Sequence, residues 1–420
     1  MKTKAVRLYG KYDLRLEEFD LPDIKDDEIL ARIVSDSICM SSHKALKQGA
    51  DHKRVPDDVD KNPVIIGHEF SGELVEVGSK WRDQFKPGDR FSIQPALNYK
   101  GSLDAPGYSF KYIGGDATYI IIPSEVMEMG CLLPFTGEAF FLGSLAEPMS
   151  CIVGAMHANY HVKQGTYIHD MGIRPGGSMA ILAGVGPMGL GMIDYTLHTD
   201  PRPSRLVVTD IDEDRLKRAE SIYPVDYAAG KGVELHYVNT SDIDSPVEHL
   251  LGINGGSGYD DVFVMAPVAQ VISQGDGILG RDGCLNFFAG PNSSDFTASL
   301  NFYNVHYESH HLVGTSGGNT DDMRESLDLM SEGTINPVAL ITHVGGLDSV
   351  IETTTKLPEI PGGKKLIYTH IKLELTALDD FEEKGKTDPL FAGLAEIIAK
   401  TNNLWSPEAE RYLLANAERI

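Results

Sequence analysis

One short segment constrains the fold of this chain more than any other. An apolar run at residues 179–183 has the composition of a buried strand, a glycine-rich turn follows at residues 184–189, and a helical pattern begins near Met188. From this segment to residue 315, apolar strands alternate with helical stretches. This alternation predicts a doubly wound parallel sheet, because parallel strands need helical crossovers between them.

The spacing of the glycines indicates a specific chemistry. Residues 184–189 read G-V-G-P-M-G, a G-x-G-x-x-G pattern between a strand and a helix. Gly184 allows the tight turn, Gly186 lets the backbone approach a pyrophosphate, and Gly189 lets the helix pack closely on the strand. Pro187 and Met188 open the helix, whose first N–H groups receive phosphate. The glycines alone would mark an ordinary turn, but the flanking strand and helix favour a dinucleotide-binding site.

An acidic residue extends this predicted site. Asp210 ends the apolar run 206–209, at the tip of the next predicted strand. A carboxylate at this place accepts hydrogen bonds from the ribose hydroxyls of the adenosine half and disfavours a 2′-phosphate. We therefore expect the cofactor to be NAD(H) in preference to NADP(H).

The rest of the chain predicts a second, mainly β domain. Short strand-like runs are typical of a barrel or sandwich, and here they occupy residues 4–8, 14–19, 28–34, 70–77, 90–93 and 118–122. We expect residues 155–316 to form the dinucleotide-binding domain, and residues 1–154 with 317–420 to form the other. Residues 371–420 predict a C-terminal helical extension, whose apolar face packs on the main body or on a neighbouring subunit.

The charge balance excludes two classes of partner. The chain has 37 Lys and Arg against 61 Asp and Glu, and its net charge of −24 repels nucleic acid and anionic membrane surfaces. No apolar run is long enough to span a membrane, and the N-terminal residues do not have the pattern of a signal peptide. Four distant cysteines fit a reducing compartment, so we expect a cytoplasmic protein. The lack of a CxxC pair excludes a structural zinc held by cysteine pairs.

Possible metal ligands lie in three separated segments. Cys39 supplies a thiolate, His68 an imidazole with the carboxylate of Glu69 beside it, and Glu147 a second carboxylate. Catalytic zinc takes about three protein ligands of these kinds and leaves one position open. Each residue alone also has a structural explanation, as a buried thiol, a hydrogen-bonded core histidine or an acid at a helix N-terminus.

Together with the dinucleotide-binding pattern, these residues resemble the zinc-containing medium-chain dehydrogenase/reductase family over nearly the whole chain. Two motifs of this family, Cys-x-Ser at residues 39–41 and Gly-His-Glu at residues 67–69, precede the glycine-rich turn. Residues 85–90 and 114–119 are also similar to turns of this family. The resemblance implies a GroES-like β-barrel catalytic domain, a Rossmann domain, and a homo-oligomer, either dimer or tetramer. A cysteine-free loop, residues 95–113, replaces the structural-zinc segment, which implies one catalytic zinc per chain.

The resemblance also implies roles for individual residues. Cys39, His68 and Glu147 would be zinc ligands. Glu69 would be a fourth ligand or a group that orients the others, and Ser41 would exchange a proton with the substrate hydroxyl. The sequence departs from the family at residues 40 and 42, which are Met and Ser, so an aspartate that orients a ligand is missing.

Three segments resemble a narrower group, the bacterial sugar-phosphate reductases of the L-sorbose 1-phosphate type: residues 61–70, 387–391 and 404–410. This resemblance implies reduction of a ketose 1-phosphate to a hexitol phosphate. A phosphate needs local positive charge in so acidic a chain. The densest basic segment consists of Lys44, Lys47, His52, Lys53 and Arg54. An ordinary solvated loop is the alternative interpretation of that segment.

Three other functions share part of this pattern. A zinc dehydrogenase for free polyols or for amino alcohols such as threonine would carry the same motifs. A zinc-free quinone or enoyl reductase would leave Cys39, His68 and Glu147 without a joint purpose. A non-catalytic regulator on the same scaffold would bind the dinucleotide without turning over a substrate, because a fold does not prove a chemistry.

Overall fold

The chain is divided into two units, one of which is discontinuous in sequence. The computed structural model describes residues 1–291 and 293–420. Unit 1 comprises Met1–Pro148 and Asn319–Ile420, and unit 2 comprises Met149–Gly318. The domain boundaries predicted from the sequence lie at residues 154/155 and 316/317.

The N-terminal part of unit 1 is mostly strand. Its strands are β1 (Lys2–Gly10), β2 (Asp13–Asp20), β3 (Ile29–Ile38), β4 (Val64–Ile65), β5 (Phe70–Val77), β6 (Arg90–Ile93), β7 (Tyr119–Ile122) and β8 (Leu132–Pro134). Its helices are α1 (Met40–Gln48), α2 (Ser124–Glu128), α3 (Phe140–Ser144) and the start of α4 (Ala146–Ala158). The predicted β-rich region is therefore confirmed. The two shortest strands, β4 and β8, were not predicted, because two or three residues carry no alternating pattern.

Unit 2 contains a six-stranded parallel sheet. The strands of the whole unit are β9 (Tyr160–Val162), β10 (His169–Met171), β11 (Ser178–Leu182), β12 (Arg205–Asp210), β13 (Glu234–Asn239), β14 (Tyr259–Val264), β15 (Leu279–Phe287) and β16 (His311–Val313). The sheet order is β13-β12-β11-β14-β15-β16, and each of its strand pairs is parallel. The order reverses at β11, as the prediction of a doubly wound sheet requires. A small antiparallel hairpin, β9 with β10, was not predicted.

Helices connect the strands of this sheet. They are α5 (Pro187–His198), α6 (Glu213–Ile222), α7 (Val225–Gly230), α8 (Pro246–Ile253), α9 (Ala269–Ile278) and α10 (Phe302–Tyr307). The central strands read as continuous apolar runs: β11 is buried at every position, and Val207, Val262 and Leu285 lie in the core that it forms with its neighbours. A parallel sheet is buried on both faces, so its central strands have apolar residues at consecutive positions.

The chain then returns to unit 1 and completes its sheets. The returning elements are α11 (Thr320–Ser331), β17 (Ile341–Gly346), α12 (Val350–Lys356), β18 (Lys364–Tyr368), β19 (Thr376–Ala377), α13 (Phe381–Gly385), α14 (Pro389–Ile398) and α15 (Pro407–Asn416). The larger sheet runs β19-β17-β18-β3-β5-β6-β8, with β7 also paired to β3, and the smaller sheet runs β2-β1-β4. Strand β3 is buried along nearly its whole length because β5, β7 and β18 all pair with it.

The C-terminal extension packs within unit 1. Phe391, Leu394 and Ile397 on α14 are buried, as the apolar face predicted. Ser406 caps α15 by accepting a hydrogen bond from the N–H of Ala409 at 3.2 Å, and a proline opens the helix. No helix in the described part of the chain has the length and apolarity that a bilayer crossing requires.

Glu410 on α15 fixes the start of α3. Its carboxylate accepts hydrogen bonds from the backbone N–H groups of Phe140 at 2.7 Å and Phe141 at 2.9 Å, and from the hydroxyl of Tyr368 at 3.0 Å. Trp405 Nε1 donates to the same Tyr368 hydroxyl at 2.9 Å. A carboxylate at a helix N-terminus satisfies N–H groups that have no partner inside the helix. The last helix of the chain thus positions the segment that leads into α4.

Replacement of Glu410 by alanine is expected to destabilise unit 1. Two buried N–H groups lose their acceptor, and each unsatisfied group costs about 1–3 kcal/mol. The matched control is Glu408→Ala, two positions away on the exposed side of the same helix, with an expected change of at most about 0.5 kcal/mol. Urea denaturation followed by tryptophan fluorescence measures both variants. Equal midpoints for the two would contradict the capping role of Glu410.

Candidate active site

Three potential metal donors from distant parts of the sequence lie together in unit 1. Cys39 is the N-cap of α1, directly after β3, and His68 with Glu69 directly precede β5. One ligand atom from each of the three lies within 4.8 Å of the other two. Strands β3 and β5 are antiparallel, with Asp36 opposite Phe70, so the end of β3 lies beside the start of β5. The strand pairing therefore brings the donors together.

The imidazole of His68 is buried and retains an unpartnered nitrogen. Among the described residues, Nδ1 has no hydrogen-bond partner, while Nε2 lies 3.3 Å from Ser41 Oγ and 3.5 Å from Tyr108 Oη. Burial lowers the pKa of His68, although the carboxylates of Glu147 and Glu69 act in the opposite direction. The imidazole is therefore neutral at pH 7, and the neutral form is the one that binds a metal ion.

Glu69 forms a buried ion pair with the C-terminal part of unit 1. Lys364 Nζ, on β18, donates to both carboxylate oxygens at 2.5 and 2.6 Å, and Ser37 Oγ donates to one of them at 2.5 Å. Burial opposes the charge of Glu69, but the nearby Lys364 ammonium lowers the pKa of Glu69 overall. Burial also opposes the charge of Lys364, and the carboxylate of Glu69 raises the pKa of Lys364. Both partners thus stay ionised.

The second carboxylate, Glu147, lies in the first turn of α4. Burial, followed by the negative charge of Glu69, raises the pKa of Glu147 to about 7. His68 and Cys39 also influence this pKa, so Glu147 is in electrostatic contact with the whole donor group. Within the described residues, however, the group whose ligand atoms lie within 4.8 Å consists of Cys39, His68 and Glu69 without Glu147.

Two hydroxyl groups lie beside the donors. Ser41 is in the first turn of α1, two residues after Cys39, and the hydroxyl of Tyr108 is the second group near His68 Nε2. Burial raises the pKa of Tyr108 well above its usual value, so this hydroxyl keeps its proton at neutral pH. The ring of Tyr108 packs on the ring of His68 with centroids 5.0 Å apart.

The chemistry of this donor set fits zinc. A thiol, an imidazole and carboxylates are the ligand types of catalytic zinc sites. Burial and the charge of Glu69 raise the pKa of Cys39, and the pKa of Glu147 is raised in the same way. A divalent cation would stabilise the thiolate and carboxylate forms together, because its charge reverses the local preference for protonation. The ligand roles of Cys39, His68, Glu69 and Glu147 stay predictions.

The three glycines of the glycine-rich turn in unit 2 differ in how closely other atoms approach them. A Cβ added to Gly184 would lie 2.6 Å from a methyl carbon of Ile181, and one added to Gly189 would lie 2.0 Å from the carbonyl oxygen of Gly184. A Cβ on Gly186 would meet no atom within 4 Å. Gly184 and Gly189 thus permit the turn and the close packing of α5, while Gly186 leaves open space above the backbone, which fits the approach of a pyrophosphate.

Asp210 lies beside this turn. Its carboxylate accepts a hydrogen bond from the N–H of Ile211 at 2.8 Å, and Val185 N–H lies 3.4 Å from its other oxygen. Strands β11 and β12 are parallel neighbours, so their carboxyl ends, which carry the turn and Asp210, meet at one edge of the sheet. Pro187 and Met188 form the first positions of α5, after Gly186 as N-cap. The roles of these residues in cofactor binding stay predictions.

Sequence reasoning missed three side chains of the metal region: Ser37, Tyr108 and Lys364. Tyr108 belongs to the loop 95–113. The tyrosines and glycines of this loop were the only sequence signal that could have drawn attention to it. Gly107 in this loop has a positive φ of 80°. A Cβ added to Gly107 would lie 2.1 Å from the carbonyl oxygen of Gly67, the residue before His68. Lys364 gave no signal, because it lies 295 positions from Glu69 in the sequence.

Both halves of the chain match known protein families. Residues 25–130 match the alcohol dehydrogenase GroES-like domain, and residues 187–332 match the zinc-binding dehydrogenase family. These matches confirm the predicted fold classes of the two domains. The zinc-binding dehydrogenase match also supports the predicted use of zinc.

The sequence is similar to curated proteins over its whole length. It is 53% identical to mannitol-1-phosphate 5-dehydrogenase of Aliivibrio fischeri, with 98% of this chain and 97% of the relative covered. It is 51% identical to L-sorbose 1-phosphate reductase of Klebsiella pneumoniae, with 100% and 98% covered. An uncharacterised protein of Escherichia coli, YggP, is 52% identical, with 99% and 97% covered.

Solved structures have the same fold at low sequence identity. The 2R,3R-butanediol dehydrogenase of Bacillus subtilis has a TM-score of 0.69 at 22% identity, with 87% of this chain and 99% of that chain covered. A Sinorhizobium meliloti protein solved with bound NADP has a TM-score of 0.70 at 21% identity, with 88% and 99% covered. The chain belongs to the zinc-binding dehydrogenase family with an alcohol dehydrogenase GroES-like domain, and it is an oxidoreductase of the alcohol and polyol dehydrogenase type.

Proposed function

We propose that this protein is a zinc-dependent sugar-phosphate oxidoreductase, which reduces a ketose 1-phosphate to a hexitol phosphate and catalyses the reverse oxidation. The observation that carries the proposal is the group of Cys39, His68 and Glu69, whose ligand atoms lie within 4.8 Å of one another. The sugar-phosphate class is supported by the names of two relatives with more than half of their residues identical, a mannitol-1-phosphate 5-dehydrogenase and an L-sorbose 1-phosphate reductase. The choice of a ketose 1-phosphate is supported by the name of the second relative.

The chain's own residues would divide the chemistry between them. Cys39 and His68 would hold the metal, together with carboxylate oxygens from Glu69 and Glu147. When bound, zinc supplies Lewis acidity at the substrate oxygen and NAD(H) supplies the hydride chemistry. Ser41 Oγ exchanges a proton with the substrate hydroxyl, and its position beside His68 Nε2 supports this role.

The environment of the donors supports this division. The ammonium of Lys364 balances the negative charge of Glu69, so the Glu69 carboxylate can orient the other donors without adding an unbalanced charge. Tyr108 and His68 are both buried, which limits access of water to the reacting groups. A low local dielectric strengthens the interaction of fixed charges with a polarised substrate oxygen.

Finer properties of the protein belong to the same proposal. Asp210 supports NAD(H) over NADP(H), since its carboxylate would lie where a 2′-phosphate would be repelled. One zinc per chain is supported by the lack of cysteine pairs in the sequence. A cytoplasmic location is supported by four free cysteines. Assembly into a homo-oligomer, a dimer or a tetramer, follows from the family resemblance.

The ligand assignment predicts the zinc content of variants. Cys39→Ser and His68→Ala are expected to lose nearly all zinc, and Glu69→Gln and Glu147→Gln to weaken zinc binding by about 10- to 100-fold, because each removes or neutralises a donor or orienting group. Ser41→Ala is expected to keep its zinc. Metal analysis of the purified chain measures these contents.

Cysteine 131 offers the matched control for the thiol ligand. Cys131 is buried in unit 1, and its Sγ lies 3.6 Å from the carbonyl oxygen of Met129. Cys131→Ser is therefore expected to retain the zinc of the native protein. Circular dichroism distinguishes loss of metal from loss of fold, and a Cys39→Ser protein that keeps full zinc would contradict the assignment.

The cofactor assignment predicts a change of preference at one residue. Asp210→Ser removes the carboxylate that would repel a 2′-phosphate, so the ratio of kcat/KM for NADPH over NADH is expected to rise by about 10- to 100-fold. Asp214→Asn removes an exposed acid of α6 outside the turn and serves as control. Steady-state kinetics with both cofactors give the ratio, and an unchanged ratio in Asp210→Ser would remove Asp210 from the site.

The substrate class is tested with matched pairs of sugars. Ketose and polyol phosphates, each with its dephosphorylated form, are assayed by NADH absorbance. We expect kcat/KM to be at least about tenfold higher for the phosphorylated member of a ketose pair. Higher activity on the free sugars would instead indicate a free polyol dehydrogenase. No turnover of any substrate by zinc-loaded protein would favour the non-catalytic regulator.

A further inference from the structure

A group of positive charges without counter-ions lies in α1 and in the segment that follows it, within residues 44–54. Burial lowers the pKa of His52, and the positive charges of Arg54, Lys53 and Lys44 lower it further, so these four side chains share one region. Among the described residues, none of the three cations forms an ion pair within 4.0 Å. Uncompensated positive charge is unexpected in a chain with 61 acidic residues. It indicates a place for an anion that the chain does not itself supply.

Acidic neighbours in the sequence do not neutralise this group. Asp51 pairs with Lys11, and Asp58 accepts a hydrogen bond from Asn62 Nδ2 at 2.7 Å. Both acids are thus engaged away from Arg54. In the part of the chain that the structure describes, no carboxylate lies within ion-pair distance of the Arg54 guanidinium.

Arg54 differs from the other cations in how it is held. Its guanidinium lies over the ring of Tyr108, 5.7 Å from the centroid, and its carbonyl oxygen accepts a hydrogen bond from Ser109 Oγ at 2.6 Å. The ring of His52 stacks on the same tyrosine at 5.5 Å. Arg54 is half-buried, whereas Lys53 is exposed. A guanidinium placed on an aromatic face loses less freedom when it binds an anion than a free lysine does.

Tyr108 connects this cation to the donor group. Its hydroxyl lies 3.5 Å from His68 Nε2 and its ring packs on the ring of His68, while the guanidinium of Arg54 lies on the same ring. One aromatic side chain therefore separates Arg54 from the imidazole. In a ketose 1-phosphate, one methylene carbon and one ester oxygen separate the carbonyl carbon from phosphorus, so its phosphate must be bound close to the reacting centre.

We propose that Arg54, positioned on Tyr108, binds the phosphate of the substrate, and that it selects sugars whose phosphate is carried on the carbon next to the reacting carbonyl. The inference rests on the proposed function, because it assigns a residue to the phosphate of that substrate. The guanidinium presents two parallel N–H donors to two phosphate oxygens, a geometry that a lysine does not reproduce. Lys44 and Lys53 add to the local field without a fixed contact.

The test compares two variants that each lose one positive charge with one variant that keeps it, on matched substrates. Arg54→Met, Arg54→Lys and Lys53→Met are assayed with L-sorbose 1-phosphate, L-sorbose, and the 1- and 6-phosphates of fructose. Arg54→Met is expected to raise KM for the 1-phosphates by about 10- to 100-fold and KM for the free ketose by less than about twofold. Arg54→Lys is expected to lie between Arg54→Met and the native protein, since it keeps the charge and loses the paired donors. Lys53→Met is expected to raise KM for the 1-phosphates by at most about threefold.

Several results would overturn the inference. Equal effects of Arg54→Met and Lys53→Met would indicate a diffuse field instead of a binding residue. Equal effects on phosphorylated and free ketose would indicate a structural role, as would a lowered thermal midpoint that accounts for the loss. A native enzyme that prefers the 6-phosphate to the 1-phosphate would contradict the selected position.

A binding measurement separates this inference from the proposed function. Calorimetric titration of the zinc-loaded protein with L-sorbose 1-phosphate and with inorganic phosphate needs no turnover. If the native protein binds the ester and Arg54→Met binds it at least about tenfold more weakly, the inference holds even where no reduction is observed and the proposed function fails. If both proteins bind equally, or neither binds, the inference fails, whatever the activity of the native enzyme on other substrates.

Discussion

The buried ion pair between Glu69 and Lys364 is the interaction on which the metal region depends, that is, the donors Cys39, His68 and Glu69 and the side chains around them. Several acidic groups are buried around it, and burial raises the pKa of Glu147 to about 7 and that of Asp116 to about 8. Asp36 is buried as well, and its pKa is raised by burial and by the charges of Asp116 and Glu69. Such a group of acids would repel itself if all were ionised. Lys364 keeps Glu69 ionised. The other buried acids need a proton or a metal ion to balance their negative charge.

The ion pair also links the two sequence segments of unit 1. Lys364 lies on β18, and β18 pairs with β3, the strand that leads to Cys39. The N-terminal and C-terminal segments of unit 1 thus contribute adjacent strands, β3 and β18, to one sheet. Strand β18 carries the lysine that pairs with Glu69. A buried pair is costly to desolvate and strongly destabilising to break, so both partners must be present for the region to be stable.

The sequence predicted the elements that repeat a pattern and missed those that depend on a single contact. The strand at residues 70–77 was predicted with its observed bounds, because its apolar residues follow a clear pattern and polar turns flank it. The close contacts at Gly184 and Gly189 were predicted, because they require the absence of a side chain, and the pyrophosphate-binding role of Gly186 stays a prediction. Lys364 and Tyr108 were not predicted, since a lysine in a strand and a tyrosine in a loop carry no local mark of the partner they meet. The donors lay in recognisable motifs, but which carboxylate comes nearest depends on strand register.

The return of the chain to unit 1 has a consequence for synthesis on the ribosome. Every residue of unit 2 has been made by Gly318, and that unit can complete its sheet while the chain is still growing. Unit 1 begins first and finishes last: β3 lacks its neighbour β18, and α3 lacks the carboxylate of Glu410, until the C-terminal residues emerge. The ion pair with Glu69 can form only after Lys364 has been made, so a nascent chain that stops before β18 would carry a finished unit 2 and an incomplete unit 1.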